Sequence, residues 1–175
     1  MWSNKLKAGY FPSVIGFAPD YSNTKSADGR KYAALTSTNK EVESILKNFN
    51  GSIFKADKAT IPNFRSGSND GAILHLAMHA ELDTEQSGSS SLIFSPDLTN
   101  NGNYQLHNYE IGEMNINSPM VVLSACNTGN GKLYSGEVLM SLARNFILAG
   151  VPAVVETLWP VEDFASSKIM GRFYK

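Results

Sequence analysis

Cys126 is the only cysteine in 175 residues, and it stands where a thiol can react. The apolar run Met120-Val121-Val122-Leu123-Ser124-Ala125 is long enough for one buried strand, and Asn127-Thr128-Gly129 breaks that strand directly after the cysteine. The carboxyl edge of an open α/β sheet is where such folds bind ligands. A second apolar run, Ala72-Ile73-Leu74-His75-Leu76-Ala77-Met78, delivers His79 to its own carboxyl end. A thiol and an imidazole at one sheet edge make a nucleophile–base pair: the base takes the proton and the thiolate attacks a carbonyl carbon. Thiolate chemistry needs partial exposure and a nearby base or cation. A glycine-bearing turn offers that exposure, together with backbone N–H groups that can face an oxyanion. Taken singly, a buried cysteine is most often a small hydrophobe, and a histidine at a strand end is most often solvated or structural. The pairing, 47 residues apart in the chain, is what argues for chemistry.

A metal centre is the competing use of these residues. His75 and His79 are four apart on a strand, so they sit ~13 Å from each other, too far to share one ion. No Glu follows His75, as a helical zinc-protease pattern would need. The expectation is no metal and no cofactor, with His75 a structural residue on one sheet face. A third stretch, Leu158-Trp159-Pro160-Val161-Glu162-Asp163, closes another strand at the same edge. Its two carboxylates could bind a positively charged side chain, or could simply favour a helix N-terminus through the dipole.

The elements that must position these groups alternate. Residues 13–19 read as a first strand. Residues 39–49 are the clearest helix, with Val42, Ile45, Leu46 and Phe49 on one face, Thr38 and Glu41 as a capping box, and Asn50-Gly51 as its stop. Residues 53–55 are a short strand, and Thr60-Ile61-Pro62 starts a short helix. Asn69-Asp70-Gly71 turns the chain into the strand at 72–78. Residues 81–91 are polar and Ser-rich, a loop beside His79. Short strands at 91–95 and 104–106 flank a turn at 100–103, and a short helix covers 108–114. After the strand at 120–125 and a loop at 127–135 come a helix at 137–149 capped by Gly150, a strand at 153–159 and a helix at 162–174. Strands alternating with helices predict a mostly parallel sheet covered on both faces.

The totals bound the class. The length suits one domain with a sizeable core. Hydrophobic residues make up 42% and charged residues 18%, the balance of a folded chain rather than a disordered one. No run approaches the ~18 apolar residues of a membrane span, and the first residues lack the apolar core of a signal peptide. A single cysteine fits a reducing, cytoplasmic setting. Net charge −1 gives no basic footprint for nucleic acid. The charge is nonetheless uneven: residues 1–60 hold nine Lys/Arg against five Asp/Glu, and residues 61–175 hold six against eleven. The half carrying His79 and Cys126 is acidic, which points to a cationic partner. The abrupt stop after Gly171-Arg172-Phe173-Tyr174-Lys175 suggests a fragment of something longer.

Together, Ile73 through Ala80, Val122 through Gly129, Gly136-Glu137 through Ala149-Gly150, and Leu158 through Asp163 resemble the CHAT family, caspase-like peptidase domains often found beside TPR repeats. Weaker likeness reaches back to Tyr10-Phe11-Pro12-Ser13 and the helix at 39–49, so the resemblance covers most of the chain. Caspases carry their histidine ~50 residues before the cysteine, as here. The resemblance implies a caspase-like three-layer α/β sandwich and a single domain spanning 1–175. It implies a Cys–His dyad, with Cys126 the nucleophile and His79 the base, and an oxyanion held by the backbone N–H of Cys126 and of Ala80. The residue after the histidine is usually Gly, so Ala80 is a departure. The Leu-Trp-x-Val-x-Asp segment is also similar to separase, which implies that Asp163 binds a basic residue on the acyl side of the cut. Glu162 would share or compete for that role, and Trp159 would wall the pocket.

Two function classes follow. The first is a cysteine endopeptidase acting on a protein or peptide, with TPR-like regulatory repeats as the implied partner and neither nucleic acid nor membrane involved. The second is a latent or non-catalytic caspase-like scaffold that binds a protein partner. A small-ligand domain ranks last, because Ala18-Pro19-Asp20-Tyr21 supplies no Gly-rich phosphate loop after the first strand.

Overall fold

The computed structural model describes residues 13–22, 24, 29, 31–82, 90–97, 102–124, 136–157 and 161–175, at 136–141 the helix backbone alone. A parallel sheet needs strands that are apolar on both faces, because the crossover helices cover both. Val14–Ala18 (β1), Ile73–Leu76 (β3) and Val121–Leu123 (β7) meet that demand, and every residue in them is buried. With Gly51–Lys55 (β2) and Val154–Glu156 (β8) they form a five-stranded sheet in the order β2-β1-β3-β7-β8. Each of its pairings is parallel.

Helices Thr38–Ile45 (α1) and Asp163–Phe173 (α5) cover one face, where Ile45, Met170 and Tyr174 pack on Val14, Ile73 and Val122. Ile61–Gly67 (α2), Asn108–Gly112 (α3) and Gly136–Leu148 (α4) cover the other, where Phe64, Ile111, Leu142 and Phe146 pack on Phe17, Leu74, Leu76 and Leu123. This is the expected three-layer α/β sandwich around a mostly parallel sheet, consistent with a caspase-like architecture. Gly16 lets α1 lie close on β1: a Cβ there would meet the Val42 side chain at 3.1 Å. Gly150, at φ +103, ends α4 as expected. Its N–H bonds the Ile147 carbonyl and the Val151 N–H bonds Phe146, the paired bonds of a Schellman cap. Among the described residues no helix is long and apolar enough to cross a membrane.

Two local expectations are corrected. The strand at 72–78 is shorter, and His79 does not close it. Ala77 still bonds the Phe17 carbonyl at 2.9 Å, and the chain then departs. His79–Glu81 (β4) instead joins Ser91–Ile93 (β5) and Gln105–His107 (β6) in a separate antiparallel sheet, β4-β5-β6. The Thr38–Glu41 capping box does not form either. Ser37 is the N-cap, the Thr38 hydroxyl donates to the Leu35 carbonyl, and α1 stops at Ile45. Glu41 turns inward, 1% exposed, with its Oε1 2.7 Å from His75 Nε2. His75 Nδ1 in turn lies 3.1 Å from the Tyr174 hydroxyl. His75 is thus structural, as its strand position implied. A buried carboxylate is tolerated only with partners, and this one ties α1, β3 and the end of α5 together.

That network sets a stability prediction. Glu41→Ala leaves His75 buried with one nitrogen unpaired, and should cost roughly 3 kcal/mol in urea denaturation. Replacing both Glu41 and His75 by Leu should recover much of the loss.

Candidate active site

One row of residues runs across the carboxyl edge of the sheet in register: Phe17 opposite Leu76, Leu76 opposite Leu123, Leu123 opposite Glu156. In the chain, His79 follows Leu76 by three positions and Cys126 follows Leu123 by three. Neighbouring strands lie ~4.8 Å apart. Cys126 itself, Trp159 and residues 83–89 of the polar loop lie outside the described residues.

His79 is 4% exposed and held on several sides. Its Nε2 is 2.7 Å from the Ala33 carbonyl. A carbonyl only accepts, so Nε2 carries a proton, and the lone pair of the neutral ring is on Nδ1. The Tyr21 ring lies 4.5 Å away and the Tyr32 ring 5.6 Å. The Tyr21 hydroxyl accepts from the His79 N–H at 2.8 Å and donates to the Ile93 carbonyl at 2.8 Å. Burial holds this phenol far above its ordinary value of 10.0, so it stays a neutral donor. Tyr32 donates to Glu81, which also accepts from Gln105 at 3.0 Å. Burial first, and the Glu81 hydrogen bond second, push the Tyr32 phenol up as well.

The remaining expected residues are spread over neighbouring elements. Ala80 sits in β4 opposite Leu92. Glu162 is the exposed N-cap of α5. Asp163 opens that helix, and its Oδ2 accepts the Ser37 N–H at 2.8 Å, at the start of α1. One carboxylate therefore serves two helix N-termini, the role the dipole favours. Beside it, the Ser124 and Ser166 hydroxyls lie 2.8 Å apart and tie the exit of β7 to α5. Glu156 is half-buried at the end of β8, and no described residue bonds its carboxylate. Burial alone raises its pKa from 4.5 to about 7.

Sequence reasoning found His79 but not its holders. Ala33 contributes only a backbone carbonyl, which leaves no signature in residue type. Tyr21 and Tyr32, taken as letters, are indistinguishable from core aromatics. Glu156 had one available signal, a carboxylate inside an apolar run.

The CHAT domain family model matches residues 12–175. The chain belongs to the CHAT domain family, which is caspase-like and peptidase-related. None of the curated proteins matches it.

Two outcomes follow from this geometry. Tyr21→Phe strands the buried His79 N–H and the Ile93 carbonyl, and should cost about 1–3 kcal/mol by denaturant titration. Glu156 is protonated in the folded chain and ionised in the unfolded one between pH 4.5 and about 7. Its contribution to stability therefore falls as pH rises through that window and levels off above it. Glu156→Gln removes the dependence, so the melting temperature of the variant should gain on the wild type from about pH 4 to about pH 8.

Proposed function

We propose that this domain is a cysteine endopeptidase with a Cys126–His79 dyad. The observation that carries the reading is the Leu76–Leu123 register pair, which His79 and Cys126 each follow by three residues of chain. The Ala33 carbonyl supports it further, because it fixes the proton on His79 Nε2 and leaves Nδ1 as the base. In this reading the backbone carbonyl orients the imidazole, and a third carboxylate is not needed.

In the reaction, His79 Nδ1 takes the thiol proton and the Cys126 sulfur attacks the peptide carbonyl carbon. The backbone N–H groups of Cys126 and Ala80 hold the oxyanion. His79 then gives the proton to the leaving amine, and a thioester remains on Cys126. Water, deprotonated by His79, hydrolyses that thioester and restores the thiol. The residue before the cut is basic: the family likeness gives its side chain to Asp163, with Glu162 sharing or competing for the role and Trp159 walling the pocket. TPR-like repeats, where the parent protein carries them, would regulate access, and the reducing cytoplasm is the setting that suits a free thiol.

The test is incubation with a proteome-derived peptide mixture and identification of new termini by mass spectrometry. Wild type should cut, Cys126→Ala should not, and His79→Ala should lose roughly 10²–10⁴-fold. Cutting that persists in Cys126→Ala removes the assignment. A folded wild type that cuts nothing, even in the full-length parent, supports the scaffold instead.

A further inference from the structure

β4 places two polar side chains on one face of the small sheet. His79 and Glu81 are two residues apart, so both project to the same side, about 7 Å from each other along the strand. Ala80 projects to the other side. Leu92 and Leu106 stand in register with it, and all three are buried in the core. The face with His79 and Glu81 is met by the segment between β1 and α1, which carries Tyr21, Tyr32 and Ala33.

Two rings wall the imidazole, and they are held in different ways. Tyr21 is 3% exposed and its hydroxyl is engaged by both β4 and β5, so its place is secure. Tyr32 is half-buried on a stretch, residues 31–36, in which Lys31, Ala33, Ala34 and Thr36 are exposed. Within that stretch only Leu35 joins Tyr32 in packing against the core. The Tyr32 ring nonetheless stacks on His79 at 5.6 Å and 27°, and the next residue, Ala33, supplies the carbonyl that accepts from Nε2. Two contacts that orient the imidazole therefore hang on a stretch with little packing of its own. What fastens it beside the ring is the Tyr32 hydroxyl, which donates to Glu81 Oε1. The other carboxylate oxygen accepts from Gln105 Nε2 of β6 at 3.0 Å, so Glu81 is itself fixed. Hydrogen bonds to an ionised group are the strong ones.

Resting on the dyad reading above, we propose that Glu81 is a positioning residue for the base: through the Tyr32 hydroxyl it pins the segment whose Ala33 carbonyl holds the His79 Nε2–H, and so keeps Nδ1 as the atom that takes the thiol proton. The brace is closed on one strand face, from His79 to Glu81 two residues on, and back through Tyr32 to the imidazole. Both Glu81 oxygens are engaged within the protein, so the carboxylate serves the shape of the site rather than a substrate. It stands one step behind the imidazole and exchanges no proton in the reaction. A reactive group keeps its geometry only when the residues that support it are themselves held.

The experiment uses the full chain and two readouts, neither of which needs cleavage. A buried Nε2–H bonded to a carbonyl exchanges slowly with water, so it gives a downfield proton resonance in NMR, assigned by its loss in His79→Ala. Cys126 is the only cysteine, so alkylation by iodoacetamide reports on one thiol. A positioned base raises that rate at about pH 7, whereas at about pH 9.5, above the ordinary thiol pKa of ~8.5, the thiol ionises unaided. Tyr32→Phe keeps the ring and removes the bond, and Glu81→Leu removes the acceptor. Each should lose the Nε2–H resonance and alkylate roughly tenfold more slowly at about pH 7, yet stay within about threefold of wild type at about pH 9.5. Glu81→Gln keeps an oxygen for Tyr32 and should retain the resonance and most of the rate, a rescue that a general loss of structure would not give. Thermal melting confirms the fold of each variant, and Tyr32→Phe, which deletes a single oxygen, carries the test if Glu81→Leu does not fold. A folded Tyr32→Phe protein that keeps both the resonance and the rate overturns the proposal and leaves the dyad standing. A His79→Ala protein that alkylates as fast as wild type at about pH 7 removes the dyad itself, and with it the role of Glu81.

Discussion

The parallel register of the central sheet is the constraint on which everything else here depends. Once β1, β3, β7 and β8 run the same way, each crossover helix begins at the carboxyl edge, and whatever follows a strand begins there too. The edge then collects His79, the starts of α1 and α5, and the carboxylates of Glu156 and Asp163, although these residues come from four separate stretches of chain. The register also fixes faces. A slip of one residue between β7 and β8 would send Glu156 to the α1–α5 side and Val155 to the other.

Holding a histidine at such an edge is a separate problem, solved by the small antiparallel sheet. Tyr21 emerges after β1 and reaches two strands of that sheet, donating to Ile93 of β5 and accepting from His79 of β4. A single phenol thus anchors the second sheet to the first. Ala33, also on the segment between β1 and α1, takes the ring nitrogen. The imidazole is therefore oriented by the crossover leaving β1 while its own backbone belongs to β4. A base whose rotamer and tautomer are fixed by packing and hydrogen bonds loses little on reaching a reactive geometry.

Much of this was legible in the sequence, for a physical reason. Continuous apolar runs bounded by turn residues, such as 72–78 and 120–125, have few alternatives to buried parallel strands, so strand and helix positions followed closely. The failures came where a residue's type permits two uses. Glu41 three residues after Thr38 satisfies the capping-box pattern, and only the arrival of His75 from 34 residues away decides that it turns inward. The step from β3 to β4 is invisible for the same reason, since the apolar run continues through Met78 and the bond that redirects it comes from a tyrosine 58 residues back. Asp163 was readable as either a cation binder or a helix-start carboxylate, and the Ser37 bond establishes the second use at one oxygen.

The two histidines of the His75-to-His79 stretch show how such similar positions part company. His75 lies within β3, where alternation aims it at the α1–α5 face. Both of its ring nitrogens are taken there, one by Glu41 and one by Tyr174, and the ring itself is fully buried. A ring bonded at both nitrogens can hold structure but cannot exchange a proton with a substrate without breaking its network. His79 lies beyond the strand, and the partner at its Nε2 is a carbonyl, which can never give a proton back. Any change of protonation at His79 is thereby directed to Nδ1. What holds each ring differs, a buried carboxylate and a phenol for His75 and a backbone carbonyl at Nε2 for His79, and that is decided by where the strand ends.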